Sequence, residues 1–223
     1  MTEAGFARLP EGWKDTLKAP LTADELRAAI FIWDAKTAPG HDGIGLNLFQ
    51  ATWNALQDDW LNLFSQMFVP GNLTEQQNRG VVVCIPKTTR PNHPSNYRPI
   101  TLLNTDYKIL AHIVANRIQP TLEELLHPSQ YCSRPGNTIF EAIASVREAI
   151  GFAEVKRKPL CILTLDFKDA FNRISHTYLF AILHSYGFSD LFVDRIRHIY
   201  ENATSMVQVN RHISTPFLIQ CSV

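Results

Sequence analysis

Residues 81–102 read Val81-Val82-Val83-Cys84-Ile85-Pro86-Lys87-Thr88-Thr89-Arg90-Pro91-Asn92-His93-Pro94-Ser95-Asn96-Tyr97-Arg98-Pro99-Ile100-Thr101-Leu102. The opening is β-branched and apolar, the middle is rich in Pro, Asn and Thr, and the end is apolar again. That order predicts a strand, a loop and a returning strand. Pairing the two strands would bring Lys87 and Arg98 together at the base of the loop. From Arg79 to Arg98 there are four cations, Arg79, Lys87, Arg90 and Arg98, and no acid. Cations so placed can clamp a polyphosphate, and they can equally be the charged guard of a strand edge.

The surrounding sequence is mostly helical in period. Thr22 and Glu25 make a capping box ahead of Leu26, Ala29, Ile30 and Trp33, which predicts a helix over 22–33. A turn-rich stretch, Lys36-Thr37-Ala38-Pro39-Gly40-His41-Asp42-Gly43, precedes a long amphipathic helix marked by Phe49, Trp53, Leu56, Trp60, Leu63 and Met67. Further helices are expected over 106–118, 122–126, 138–158, 177–186 and 190–200, the third turning Phe140, Ile143, Val146 and Ile150 inward. Short strands are expected near 206–209 and 217–221. Strands and helices are not interleaved in a regular repeat, so the class is α+β.

Composition narrows the setting. The 223 residues carry 21 bases and 21 acids, so no whole-molecule field draws the chain to a polyanion, and any such partner must be met by a local patch. Residues 1–70 sum to −4 and residues 71–223 to +4. Cys84, Cys132, Cys161 and Cys221 are far apart, with no CxxC pair. That argues against zinc and for a reducing compartment, cytoplasm or nucleus. No apolar stretch suits a leader or a membrane span, so neither secretion nor a membrane partner is expected.

A second feature is Thr164-Leu165-Asp166-Phe167-Lys168-Asp169-Ala170-Phe171-Asn172, preceded by the apolar run Leu160-Cys161-Ile162-Leu163. This predicts a buried strand over 160–165 with a carboxylate at its tip. An acid there is costly unless paired, capping a helix or bound to a cation. Capping and binding of a hard divalent cation through oxygen are both open on the residues alone.

Taken in order, these pieces resemble the reverse transcriptases (RNA-directed DNA polymerases) of non-LTR, LINE-type retrotransposons. The resemblance rests on Lys36 to Gly43; Ile85-Pro86-Lys87; Asn96-Tyr97-Arg98-Pro99-Ile100-Thr101-Leu102; Lys108-Ile109-Leu110-Ala111 with Ala115-Asn116-Arg117-Ile118; Gln130 to Gly136; and Leu165 to His176. It implies a right-hand polymerase: a mostly helical, fingers-like region over 1–158 with a small β-ribbon, then the start of an antiparallel palm sheet over 159–223. By the resemblance, Asp166 is catalytic and holds Mg²⁺ or Mn²⁺, with the Phe167 carbonyl as a further ligand, and the two-metal reaction adds dNTPs to a DNA primer on an RNA template. Lys87, Arg98, Asp169, Ala170 and Phe171 fall at nucleotide-binding positions, Phe171 where a ring would clash with a sugar 2′-hydroxyl. Arg79 and Arg90 would contact nucleic acid.

Departures from the pattern are Cys132 and Ser133 where Gly-Phe is usual, and Asn172 where Asp is common. The family's Arg-Gln-Gly-Cys-Pro segment and its later aromatic-Ala-Asp-Asp turn do not occur, nor does a thumb. The palm is therefore expected to be incomplete and the chain by itself inactive. A non-catalytic nucleic-acid-binding remnant and a decayed retroelement relic are the alternative readings. No protein partner is inferable.

Overall fold

The computed structural model describes residues 7–132, 134, 136–167, 170 and 173–221, and the helix expected at Thr22 begins at that cap. Helix α1 (Glu11–Lys18) leads to α2 (Ala23–Phe31). There the Glu25 N–H donates to Thr22 Oγ1 at 3.2 Å and the Thr22 N–H donates to the Glu25 carboxylate at 3.3 Å. Both satisfy first-turn donors that a helix leaves without partners. Then come α3 (Leu46–Met67), α4 (Thr105–Ile118), the short α5 (Leu122–Leu125), α6 (Ile139–Lys156), α7 (His176–Ser185) and α8 (Asp190–Tyr200). No helix among the described residues is long and apolar enough to cross a membrane.

Four helices close one core. Leu26 and Ile30 of α2, Phe49, Trp53 and Phe64 of α3, Ile109, Leu110 and Ile113 of α4, and Phe192, Val193 and Ile196 of α8 are all buried together. Each such side chain stabilises the fold by about 1.5–3 kcal/mol through water exclusion. Polar locks sit inside this packing. Arg117 of α4 donates to both Glu25 oxygens at 2.8 Å, and to the carbonyls of Ala19 at 2.7 Å and Pro20 at 3.1 Å. It thereby ties the α1–α2 corner to α4. The Tyr107 hydroxyl donates to the Ile199 carbonyl at 2.8 Å and joins α4 to α8.

The expected strand-loop-strand is present as β1 (Arg79–Pro86) and β2 (Tyr97–Leu102), antiparallel, with Ile85 opposite Arg98 and Val83 opposite Ile100. On the other side of β1 lies β3 (Thr204–Val209), which runs parallel to it with Val81 beside Met206 and Val83 beside Gln208. Two short strands, β4 (His212–Ile213) and β5 (Phe217–Leu218), pair antiparallel with β3. The strands of 204–218 thus pair antiparallel as expected, and the parallel pairing of β3 with β1 makes the whole sheet mixed. A chain that leaves β2 and returns through several helices before β3 can enter alongside β1 in the same direction, which a hairpin cannot.

Two expectations are corrected. Residues 160–165 form no strand among the described residues, and Leu160, Ile162, Leu163 and Leu165 are exposed. β-branched, apolar composition marks a segment that suits a sheet, yet the ladder needs a neighbouring backbone that composition cannot supply. Helix α6 forms, its Thr138 N–H donating to the Glu141 carboxylate at 2.7 Å. However, Phe140 is 76% exposed, Ile143, Val146 and Ile150 are exposed too, and only Ala153 of this helix is buried.

Candidate nucleic-acid interface

The platform for the basic ribbon starts with the Lys36–Gly43 turn. Gly40 lies against the buried Asn104, the residue before α4, and a Cβ on Gly40 would come within 2.6 Å of the Asn104 main chain. Only glycine fits there. Gly43 has φ +73°, which glycine adopts without steric cost. Lys108 of α4 donates to the Ala38 carbonyl at 2.7 Å, and Asn104 donates to the Gln76 carbonyl at 2.8 Å just ahead of β1. Burial pushes the Lys108 ammonium below its ordinary value while Asp42 opposes the shift. Asp106, beside these groups, is raised by burial against a 2.9 Å hydrogen bond from Gln77. The turn, α4 and the start of β1 are therefore one fixed base.

From this base the ribbon projects its cations to one end. Ile85 pairs with Arg98, and the Lys87 N–H donates to the Asn96 carbonyl at 2.7 Å, extending the same register. Side chains alternate along a strand, so Lys87 and Arg98 share a face as diagonal neighbours, about 7–8 Å apart at their backbones. Lys87 Nζ also donates to the Ser95 carbonyl at 3.3 Å. Arg90 lies exposed in the loop between them, where Asn96 holds the turn by accepting the His93 N–H at 3.1 Å. Arg79 does not join this group. It begins β1 at the opposite end, roughly 27 Å away at ~3.4 Å per residue, and faces Glu75 at 3.7 Å.

Asp166 and Phe167 end the exposed segment 160–167, and Ala170 lies in an exposed turn, its carbonyl accepting the Arg173 N–H at 3.3 Å. Asp169 and Phe171 lie outside the described residues. Among the described residues no group of three or more His, Cys, Asp or Glu could hold a metal ion. Mg²⁺ is commonly held by one or two carboxylates together with waters and substrate phosphates, so Asp166 and the Phe167 carbonyl would supply only part of such a site. The described residues by themselves do not complete a two-metal site.

A sequence profile described as "Reverse transcriptase (RNA-dependent DNA polymerase)" matches residues 85–220, well over half of the chain, from the open end of the ribbon through Asp166 to the strands of the mixed sheet. The chain belongs to the reverse transcriptase family. This meets the expectation raised by the ordered motifs. Relatives of this reverse transcriptase chain include the "Transposon TX1 uncharacterized 149 kDa protein" of Xenopus laevis, 34% identical over 95% of the chain and 16% of that protein. The "Retrovirus-related Pol polyprotein from type-1 retrotransposable element R2" of Popillia japonica is 26% identical over 85% of the chain and 26% of its own length. The "Probable RNA-directed DNA polymerase from transposon BS" of Drosophila melanogaster is 24% identical over 92% of the chain and 23% of its own. The chain therefore spans between a sixth and about a quarter of these relatives.

Sequence reasoning missed one feature of the reverse transcriptase chain's sheet. Residues 76–105 and 202–223 contain no Asp or Glu, so every strand of the five-stranded sheet is free of acids, in a chain whose net charge is zero. The acid-free tail was visible in the sequence. That it lies beside the basic ribbon was not, because the β1–β3 pairing joins residues more than a hundred positions apart.

Proposed function

We propose that this chain is the fingers-like region (1–158) and first part of the palm (159–223) of an RNA-directed DNA polymerase of a non-LTR retrotransposon, acting on an RNA template, a DNA primer and dNTPs. The observation that carries this reading is the family match over 85–220, which includes both the basic ribbon end and Asp166. Lys87 and Arg98, on one face of the ribbon, would meet the triphosphate, and Arg90 the nucleic acid. Asp166 would be one ligand of Mg²⁺ or Mn²⁺, the rest coming from outside the described residues. Phe171 would exclude ribonucleotides by contact with the 2′-hydroxyl. An intracellular setting belongs to the same proposal, supported by four exposed cysteines that form no disulfide with one another.

The test is primer extension by a polymerase that contains this chain together with the paired-aspartate turn. Asp166→Ala should lower kcat at least about 100-fold, the scale of removing a preorganised electrostatic group. Lys87→Ala and Arg98→Ala should raise the KM for dNTP with template affinity nearly unchanged, and Phe171→Ala should admit ribonucleotides. Retained extension in Asp166→Ala would overturn the catalytic assignment. A non-catalytic binding role is the second reading, favoured by a basic sheet end that forms irrespective of Asp166. Its signature would be salt-sensitive RNA binding in the 223-residue chain that ignores Mg²⁺.

A further inference from the structure

The β3–β4 turn is Asn210-Arg211, a two-residue hairpin connection with Val209 opposite His212. Both turn residues have positive φ, 49° and 68°. Two central residues of this kind make the mirror-image turn that suits the twist of paired strands. The first position accepts asparagine readily, whereas the second strongly favours glycine, and here it carries a long, cationic side chain. A residue kept in a backbone region that glycine would occupy freely invites a reason outside the turn.

The sheet supplies one. β3 runs parallel to β1, so the end of β3 lies at the same end of the sheet as Lys87, Arg90 and Arg98. Extending the register from Val83 beside Gln208 puts Asn210 level with Ile85, whose other neighbour is Arg98. Arg98 and the turn are thus two strand spacings apart, roughly 10 Å. A cleft of about 570 Å³ confirms the juxtaposition: Pro91, Asn92 and His93 of the ribbon loop border it on one side, Gln208 and Asn210 on the other. Its lining is neutral and includes Tyr97, so the cations stand at its margin. Lys87, Arg90, Arg98 and Arg211 are exposed, and none forms an ion pair with a described residue.

We propose that Arg211 is a nucleic-acid contact, binding a backbone phosphate of a single strand that crosses this end of the sheet. The proposal rests on the polymerase reading above and adds a residue outside the basic ribbon. The strand's phosphates would lie along Arg90 and Arg211, and Tyr97 in the cleft lining would offer a ring on which a base could stack, a contact indifferent to sequence.

The test uses the 223-residue chain, fluorescently labelled oligo(U) RNA and a series of salt concentrations, alongside thermal melts. Arg211→Gly removes the charge and installs the residue the turn prefers, so the melting temperature should hold or rise while RNA binding weakens. The slope of log affinity against log salt should fall in magnitude by about 0.7, the value for one phosphate on a single strand. Arg211→Lys should keep the wild-type slope. A dNTP titrated in place of RNA should bind wild type and Arg211→Gly alike. An unchanged slope in Arg211→Gly, an equal loss in Arg211→Lys, or a change confined to dNTP affinity would each overturn the proposal. If Arg90→Ala lowers the slope while Arg211→Gly does not, the ribbon reading stands and this inference falls. Absence of salt-dependent RNA binding by the wild-type chain would sink both.

Discussion

Helices α4 and α6 carry comparable apolar patterns and end in different environments. In α4, Ile109, Leu110 and Ile113 are covered by α2, α3 and α8. In α6, Ile139, Phe140, Ile143, Val146, Ile150, Phe152 and Val155 are exposed, and in the following segment 160–167 Leu163, Leu165 and Phe167 are exposed as well. Periodicity states which residues would gain from leaving water. It does not state what will cover them, and burial requires a second surface within reach. Exposed apolar surface of this extent is uncommon on a monomer and marks a place where something else packs or adheres.

The largest effect expected from this contrast is in truncation. Phe64→Ala, in the closed core, should cost about 3–5 kcal/mol in urea unfolding because it removes buried surface and leaves a cavity. Phe140→Ala on α6 should stay within about 0.5 kcal/mol, as exposed substitutions do. Equal losses at the two sites would show that α6 is covered in solution and would erase the difference.

Next in size is the Arg117 lock, which has no counterpart on α6. Arg117→Ala leaves Glu25 and two backbone carbonyls without their donor, and should cost roughly 3 kcal/mol, the low end for breaking a buried pair because Glu25 is partly exposed. The Arg117 guanidinium holds the Glu25 carboxyl below its ordinary 4.5. A depressed acid contributes stability above its unfolded pKa, and that contribution is lost as pH falls through the folded value. Wild type should therefore lose stability in acid more steeply than Arg117→Ala, and parallel pH profiles would argue that the pair is electrostatically idle.

His198 offers a smaller, separable effect at milder pH. It is buried on α8, its Nδ1 accepts the Gly71 N–H at 3.0 Å, and burial holds it below its ordinary 6.5. The unfolded chain takes up the proton first, so stability should decline as pH drops below 6.5. His198→Gln should flatten that decline. The smallest change expected is at the α2 cap: Thr22→Ala should cost about 1 kcal/mol, against almost nothing for Val155→Lys on the open face of α6.

Much of this was legible beforehand because it is local. Thr22 and Glu25 announce a helix start, the four-and-three spacing from Phe49 to Met67 announces α3, and the β-branched run broken by Pro and Asn announces the ribbon that brings Lys87 and Arg98 together. These signals act over a few residues, where the backbone's own hydrogen bonds and side-chain spacing decide the outcome. Family membership was legible for a related reason, since six short motifs keep their order along the chain.

What the sequence did not determine is which surfaces meet. The ladder between β1 and β3 is made by backbone groups that every residue carries, so no side chain announces that Val83 will lie beside Gln208. That parallel pairing alone places Arg211 with Lys87, Arg90 and Arg98. Burial is decided in the same way: the apolar run at 160–165 and the stripe on α6 fixed a preference for leaving water, and tertiary structure decided that no described element covers them. Local chemistry sets the elements, while the meeting of distant backbones and faces sets the site.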